Sequence, residues 1–267
     1  MNSQIRLYLS IVKIGFLEFL AYRLNLMIGL LRYVMTIVAY SYLYISAFQG
    51  MGGVWGYSLA DLLTYVAVGW FMRVLYHTKI DETIGHRVRL GHISLDLLKP
   101  VNFPLFYLSY AFGQSLNRVI AILLPLLLLS FPFLPLQSLP SLKVFSLFMV
   151  SLSFGYLTIF LIKYLVGLSA FFFEFNDEIS WTVDMTTNLL AGLVIPLHFF
   201  PSLIYAMLGY LPFQGVYFVP LQIYLGKLEG MALKSALEVQ FFWILLLSAL
   251  SLFVYQKGIQ RLTIQGG

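Results

Sequence analysis

The chain has 267 residues, of which 60% are hydrophobic and 10% are charged, and its mean hydropathy is +0.88. A soluble globular protein needs far more polar surface, so the composition predicts an all-α integral membrane protein with one membrane domain over residues 1–267. The absence of cysteine excludes disulfides, thiolate catalysis and cysteine-ligated metal sites. Basic residues that flank membrane spans account for the net charge of +5, and we expect no nucleic-acid partner.

The N-terminal segment predicts a helix over residues 3–22. Ser3, Arg6, Ser10 and Lys13 recur at spacings of three and four, which places them on one helical face. A polar stripe on an otherwise apolar helix is typical of a helix that lies in the membrane surface. The alternative is that these residues begin the first span. Because charges interrupt the apolar run, we expect no cleaved signal peptide.

Apolar stretches then follow one another along the whole chain. A bilayer core of roughly 30 Å requires about 20 mostly apolar residues for each spanning helix. Six spans are predicted, over residues 24–48, 59–80, 104–134, 144–173, 181–195 and 233–255. A glycine-rich turn at 49–58 and the proline-rich end of the third span predict short external connections, and an acidic segment follows the fourth span.

The stretch between the fifth and sixth spans is apolar but divided by four prolines, Pro196, Pro201, Pro212 and Pro220. The pieces between them are too short to cross a bilayer. Irregular backbone at membrane depth is tolerated only where protein or water satisfies it. We therefore predict a re-entrant helical hairpin over residues 196–226 that enters from the outer face, with His198 at the outer boundary.

Residues 79–104 form the longest charged interruption of the chain and are predicted to bridge two spans in the cytoplasm. The sequence indicates a docking surface there. His77, His86 and His92 lie in or beside this bridge at spacings of nine and six, which do not share a helical face. No carboxylate repeats a metal-ligand pattern with them. We predict solvated loop histidines and no metal site.

The distribution of basic residues predicts the orientation in the membrane. With the N-terminus inside, nine basic residues lie on the cytoplasmic side and three lie outside. The nine are Arg6, Lys13, Arg23, Lys79, Arg87, Arg89, Lys99, Lys257 and Arg261, and the three are Lys143, Lys227 and Lys234. This excess favours a multi-pass protein of the cytoplasmic (inner) membrane with both termini in the cytoplasm.

Five charged residues of the predicted spans are singled out, the basic residues Arg32, Arg73, Arg118 and Lys163 and the acidic Asp184, and Asp61 is the other acid associated with the spans. Charges in hydrocarbon are costly and usually face the bundle interior or a wet cavity, so each is a functional candidate. The structural alternative is pairing with a neighbouring helix or a lipid headgroup, with Lys163 partly snorkelling to the membrane surface. Both interpretations remain open.

The sequence contains none of the catalytic motifs G-x-x-x-x-G-K-[ST], H-E-x-x-H or G-x-S-x-G. It predicts no enzyme activity in this chain and no cofactor bound by it. If ATP supplies the energy for its function, another chain must hydrolyse the ATP.

Four segments together resemble a known family. They are RLGHISLDLLKPVNFPLFYLS at 89–109, GLVIPLHFFPSLIYAMLGYLPF at 192–213, PLQIYLG at 220–226 and YQKGIQRLTIQGG at 255–267. In this order they are similar to the membrane subunit of a bacterial type-two ABC exporter, in the small branch whose ATPase is encoded separately. The resemblance implies a second permease, identical or related, and two ATP-binding subunits that hold ATP and magnesium. It also implies alternating access along a path lined by the first, second and fifth spans.

In that family a short coupling helix lies in the first cytoplasmic loop, which corresponds here to residues 91–100. The resemblance implies that Ser94 caps this helix, that leucines form its contact surface and that Pro100 ends it. The residues assigned to ATPase coupling are Arg87, Arg89, Gly91, His92, Ser94, Leu95, Leu97, Leu98, Lys99 and Pro100. Arg87, Arg89 and Lys99 would form the polar rim.

Two other classes of function remain as alternatives. One is an ion-coupled secondary transporter that uses the buried charges Arg73, Arg118, Lys163 and Asp184, although the chain lacks the inverted repeat of many such proteins. The other is a membrane scaffold that does not transport, which would leave the charged bridge without a dedicated partner.

Overall fold

The computed structural model describes residues 3–20, 23–48, 56–130, 139–173 and 176–265. Within these ranges the chain consists of helices and short connections, with no β-strand. This confirms the predicted all-α class. The predicted external turn at 49–58 and the proline-rich end of the third span fall largely outside the described ranges.

In chain order the α-helices are α1 (Ser3–Leu20), α2 (Arg23–Phe48), α3 (Leu59–Tyr76), α4 (Ile80–Arg89), α5 (Ile93–Leu97), α6 (Phe103–Arg118), α7 (Leu124–Ser130), α8 (Leu142–Ser169), α9 (Asn176–Leu190), α10 (Ser202–Leu208), α11 (Phe218–Tyr224) and α12 (Gly230–Gln265). A π-helical turn, Val119–Leu123, joins α6 to α7. Two 3₁₀ turns, Leu197–Phe199 and Pro212–Gly215, lie before and after α10.

Five helical stretches of the described ranges are long and apolar enough to cross a membrane. They are Leu26–Phe48, Leu59–Arg89, Phe103–Leu128, Leu142–Ser169 and Gly230–Arg261. A sixth is obtained only if α10 and the segment Pro212–Tyr224, which are bent by 74° relative to each other, count as one broken span. The first four predicted spans and the last therefore correspond to helices, with shifted ends.

The second span continues further into the charged bridge than predicted. α3 ends at Tyr76, three residues intervene, and α4 carries the helical path on to Arg89. Acidic residues occupy the first turn of α4 and basic residues its last turn, which complements the helix dipole. Ile80 and Ile84 are fully buried, so one face of α4 belongs to the core. Much of the predicted bridge is therefore a packed helix.

The third span passes through Pro125 without stopping. Proline lacks a backbone N–H, and its ring clashes with the carbonyl four residues earlier in a regular α-helix. The π-helical turn Val119–Leu123 directly precedes α7, which contains Pro125. A π-helical turn is wider than an α-helical one, so it can relieve this clash while the helix continues.

The fifth predicted span differs most from the structure. Instead of covering 181–195, the helix α9 has 15 residues and begins at Asn176. At 1.5 Å per residue it extends about 22 Å, which is short for a span. Asp177 and Glu178 lie in its first turn and favour the earlier start. Gly192 has a φ of +80° and accepts a hydrogen bond from the Tyr65 hydroxyl (2.5 Å), so the chain turns away soon after the helix ends.

Helix α8 has a central position in the described structure, because it packs against α4, α9, α11 and α12. Along the first half of α8 lies a core that includes Tyr65, Tyr76 and Tyr217. A second core includes Phe103 and Tyr164. It lies nearer the charged bridge at residues 79–104, which we call the charged segment. The charged segment therefore rests on packed aromatic side chains.

The segment predicted as a re-entrant hairpin is tied to the residues just before α3. Tyr57 hydrogen-bonds through its hydroxyl to His198 Nδ1 at 2.9 Å and accepts a bond from Gln222 at 2.6 Å. Lys227 Nζ forms an ion pair with Asp61 Oδ2 at 2.8 Å. These contacts fix the segment against the start of α3. Its depth in the membrane remains a prediction.

The N-terminal helix α1 is confirmed as a helix, and it packs lengthwise against α6. The two backbones approach closely at Gly15 and Gly113, where an added Cβ would lie 2.3 Å from the carbonyl oxygen of Tyr110 and 2.1 Å from that of Val12, respectively. Asn117 also donates a hydrogen bond to the carbonyl of Phe16 (2.9 Å). Because glycine has no side chain at these two positions, the backbones of α1 and α6 pack directly against each other.

We expect Gly113→Ala to destabilise the protein, because the new methyl group would force the backbones of α1 and α6 apart. Overpacking of this kind typically costs about 1–3 kcal/mol. Thermal unfolding in detergent should show a lower Tm, together with faster proteolysis between α1 and α2. Gly29→Ala is the matched control, since its Cβ would lie an ordinary 3.5 Å from Ile122, and its Tm should not fall. Equal effects of the two changes would contradict this account of the α1–α6 contact.

Candidate functional site

The charged segment contains a short helix with two different faces. α5 follows Gly91, whose φ of +71° turns the chain sharply after α4. Ile93 and Asp96 are 1% and 3% exposed, whereas Leu95 and Leu98 are 59% and 80% exposed. One face of this turn is thus fixed to the protein, and the other presents leucines to the outside.

Two expectations about this helix are wrong. Ser94 does not cap it, because the helix already begins at Ile93 and the Ser94 hydroxyl donates back to the Gly91 carbonyl at 2.8 Å. The left-handed turn at Gly91 allows this earlier start. Leu97 is not exposed like its neighbours, since it is half-buried and packs against the core near the charged segment. Leu95 and Leu98 are the exposed leucines of this segment, with His92 and Pro100 exposed beside them.

Asp96 is the residue that holds the segment together. Its Oδ1 accepts hydrogen bonds from Arg87 Nη2 (2.8 Å) and Lys99 Nζ (2.7 Å). Its Oδ2 accepts bonds from Arg87 Nε and from the Tyr107 hydroxyl, the latter at 3.0 Å. Arg87 and Lys99 therefore turn toward a buried carboxylate, and their place in the rim stays a prediction.

Asp96 was not among the predicted site residues. The only sequence signal was its spacing of three from Lys99 within a charged segment, which is common on solvated surfaces. Burial by itself would raise the pKa of Asp96, but the hydrogen bonds from Lys99 and Arg87 outweigh it and lower the pKa below its ordinary value. The carboxylate is therefore ionised at neutral pH.

The end of α4 is also connected to the start of α9. Arg89 Nη2 lies 2.9 Å from Asp177 Oδ2, and both side chains are partly exposed, so the pair contributes little to stability. A pocket of about 460 Å³ lies beside this pair, with Lys79, His86 and Trp181 in its lining. His86 is exposed, as predicted for a solvated histidine.

Three of the predicted intramembrane charges meet in one buried cluster. Lys163 Nζ lies 2.9 Å from Asp81 Oδ2 and 2.7 Å from Asp184 Oδ1. Arg73 Nη2 is 3.8 Å from Asp184 Oδ2, and Arg73 Nη1 is 3.2 Å from His77 Nδ1. We call Arg73, Asp81, Lys163 and Asp184 the buried charge cluster.

This geometry corrects two predictions. Lys163 does not snorkel to the membrane surface, because it is only 3% exposed and lies between two carboxylates. His77 is not a solvated loop residue, because it is half-buried next to Arg73. Asp81 was placed in the bridge by sequence, but the inward face of α4 brings it to Lys163 on α8.

The two remaining predicted charges, Arg118 and Arg32, differ in their solvent exposure. Arg118 is 2% exposed, and its guanidinium is within electrostatic reach of Tyr33 and Tyr156. Arg32 lies on the exposed side of α2, and its guanidinium carbon is 5.3 Å from the centroid of the Tyr33 ring. Of the five predicted charges, only Arg32 faces outward.

Helix α4 joins the two charge networks. It carries Asp81, which binds Lys163 on α8, and Arg87, which binds Asp96 on α5. The helix has ten residues and is about 15 Å long. A displacement of α5 would therefore be passed through one short rigid element to α8 and, through Asp184, to α9.

We expect Asp96→Asn to destabilise the charged segment, since Arg87 and Lys99 would lose their carboxylate. Both cations are partly exposed and screened by solvent, so we expect a loss of about 2 kcal/mol in the free energy of unfolding. Because the pKa is lowered in the folded state, the wild-type advantage is fully present above about pH 4 and disappears as the pH falls further. Thermal melts of both proteins across this range measure it.

Glu82→Gln serves as the control for Asp96→Asn, since Glu82 pairs with Lys79 at the surface and contributes at most about 1 kcal/mol. A constant difference between the wild type and Asp96→Asn from pH 7 to pH 2.5 would contradict the role of the ionised carboxylate.

We expect Lys163→Met to be more damaging, because it leaves the buried Asp81 carboxylate without its cation and removes one of the two cations beside Asp184. Removing one partner from a buried ion pair typically costs about 3–5 kcal/mol. Adding Asp81→Asn should restore part of this loss, which a double-mutant cycle on thermal stability would reveal. Arg32→Met removes an outward-facing cation and should cost much less. Equal losses for Lys163→Met and Arg32→Met would rule out the cluster as a stabilising element.

Comparison with known proteins identifies the family. Residues 30–266 match the family described as "ABC-2 family transporter protein". No curated protein matches the chain. Because the family match covers most of the sequence, the chain belongs to the ABC-2 transporter family and is a membrane-embedded permease component of an ABC transporter.

Proposed function

We propose that this protein is the permease subunit of an exporter, driven by a separate ATP-binding subunit on the cytoplasmic side. It would pair with a second permease, identical or related, in the cytoplasmic membrane, and both termini would be cytoplasmic. ATP and magnesium would be held by the partner subunit. The observation that carries this proposal is α5, whose outward face presents Leu95 and Leu98 while its inward face is fixed by Asp96.

The outward face of α5 has the composition of a protein-binding surface. Leu95 and Leu98 are exposed within a segment rich in charge, rather than within an apolar span that lipid would cover. Arg89, His92 and Lys99 are exposed around them and would form a polar rim. An apolar centre with a polar rim is the usual anatomy of a protein–protein interface. Both leucines belong to the segment assigned to ATPase coupling.

The charge networks provide a route from this surface into the helix bundle. ATP binding would shift the partner subunit and α5 with it, and Asp96 would transmit the shift to Arg87 on α4. Asp81 on the same helix would transmit it to Lys163 and Asp184. Such coupling requires that the contacts differ between the two states of the transporter. The residues of the buried charge cluster lie on α3, α4, α8 and α9, so their contacts depend on the relative positions of these helices.

The same proposal includes a six-span layout. In it α9 serves as a short fifth span, and residues 196–226 form a re-entrant hairpin at the outer face. The bend of 74° between α10 and the segment Pro212–Tyr224 supports a hairpin rather than a straight span. The substrate path would then lie between the two permeases, along the first, second and fifth spans.

The double change Leu95→Asp and Leu98→Asp should abolish association with the ATP-binding subunit and leave membrane insertion intact. Both side chains are exposed, so the carboxylates disrupt no core, but they would remove the apolar centre of the interface. The measurement is gentle purification of the tagged protein from its native membrane, identification of the copurifying chains, and assay of vanadate-sensitive ATP hydrolysis.

Leu142→Asp is the matched control, since Leu142 is 85% exposed at the start of α8 and should retain the partner. Unchanged association of the double variant would overturn the coupling assignment. If the wild-type chain comes out alone and without ATPase activity, an ion-coupled transporter or a scaffold becomes the better proposal, and the buried charge cluster is the place to examine first.

A further inference from the structure

A pocket of about 600 Å³ lies between α1, α4, α5 and α6. We propose that it binds an anionic phospholipid, with the phosphate at Arg87 and Lys99 and an acyl chain along Ile14 and Leu17. This inference goes beyond the proposed transport function and does not depend on it, because it concerns the binding of a single lipid molecule to this chain.

One half of the pocket suits an acyl chain. Ile11, Ile14 and Leu17 recur every three residues on α1 and line the pocket, with Phe106 of α6 among the other lining residues. Ile11 is buried, whereas Ile14 and Leu17 are 59% and 48% exposed. The apolar wall therefore extends from the interior to an open edge on α1, where a lipid chain can enter from the bilayer.

The other half offers cationic donors that are held in place. Arg87 uses Nε and Nη2 to bind Asp96, which leaves part of the five-donor guanidinium available. Lys99 uses one of its three donors on Asp96 and lies 4.6 Å from the centroid of the Phe106 ring. The two cations and one carboxylate carry a net charge of +1, which complements a phosphate diester.

Asp96 orients these two cations, whose combined charge exceeds its own. It accepts four hydrogen bonds, two from Arg87, one from Lys99 and one from Tyr107, which uses the full capacity of a carboxylate. A phosphate can therefore bind the remaining donors of two pre-oriented cations, an arrangement that gives strong charge-assisted hydrogen bonds.

The combination of an apolar half and a cationic half favours an amphiphilic ligand. A soluble anion would use only the cationic half, and a neutral apolar molecule only the α1 wall. A volume of about 600 Å³ is within the usual range for small-molecule sites and accommodates a headgroup with the upper part of an acyl chain. The site also lies beside α5, in the charged segment where headgroups are expected if this segment faces the cytoplasm.

The test uses the full-length protein in a neutral detergent. Dioleoylphosphatidylglycerol and dioleoylphosphatidylcholine, which differ in headgroup charge but not in chains, are titrated separately. Thermal stabilisation and native mass spectrometry then measure affinity and the number of retained lipids. We expect the anionic lipid to bind at least tenfold more tightly, with one molecule retained most strongly.

Two variants separate the halves of the site. Lys99→Met should reduce the apparent affinity for dioleoylphosphatidylglycerol by roughly tenfold and leave the neutral lipid unaffected, as expected for one lost charge-assisted bond. Leu17→Trp fills the apolar half, leaves the cations intact and should also displace the retained lipid. Lys143→Met is the control, because Lys143 is an exposed lysine far along the chain at the start of α8, and its lipid binding should equal that of the wild type.

Equal affinity for the two lipids would overturn the proposal, as would an equal loss in Lys99→Met and Lys143→Met. Glycerol phosphate is titrated in a further, separate experiment. If it stabilises the protein as well as the lipid does, and Leu17→Trp has no effect, the pocket is a soluble-anion site and not a lipid site. If Lys99→Met fails to fold, Leu17→Trp still decides the outcome.

Discussion

The structure depends on the requirement that charges inside an apolar protein be paired. Asp96 and Lys163 are both 3% exposed, and each is surrounded by opposite charges from more than one helix or connecting segment. A buried charge without a partner would cost several kcal/mol, so the positions of these helices relative to one another are restricted by the ion pairs. α4 takes part in both networks and therefore determines where α5 lies relative to α8.

Such pairs do not by themselves make a protein more stable than an apolar core of the same shape would. What they add is a requirement for particular partners, and a helix that shifts must exchange or lose them. This fits a permease whose function requires more than one arrangement of its helices. The aromatic cores along the two halves of α8 provide the packing, whereas the charges specify which helices meet.

The same carboxylate can serve two purposes in the charged segment. By accepting four hydrogen bonds, Asp96 would fix α5 for the proposed protein partner on one side and orient Arg87 and Lys99 for the proposed anionic lipid on the other. The tight glycine contact between α1 and α6 places the apolar wall of α1 beside these cations. The proposed lipid site and the proposed docking surface are thus adjacent in the fold.

The sequence alone determined the membrane class, most of the helices and the location of the charged segment, because these follow from local apolar composition and charge. The family resemblance on four segments agreed with the match over residues 30–266. The tertiary structure decided the rest: Asp96 as the centre of the segment, the inward packing of Leu97 and the meeting of Asp81, Lys163 and Asp184. Those contacts join residues up to 82 positions apart, and no local pattern encodes which buried charges will pair.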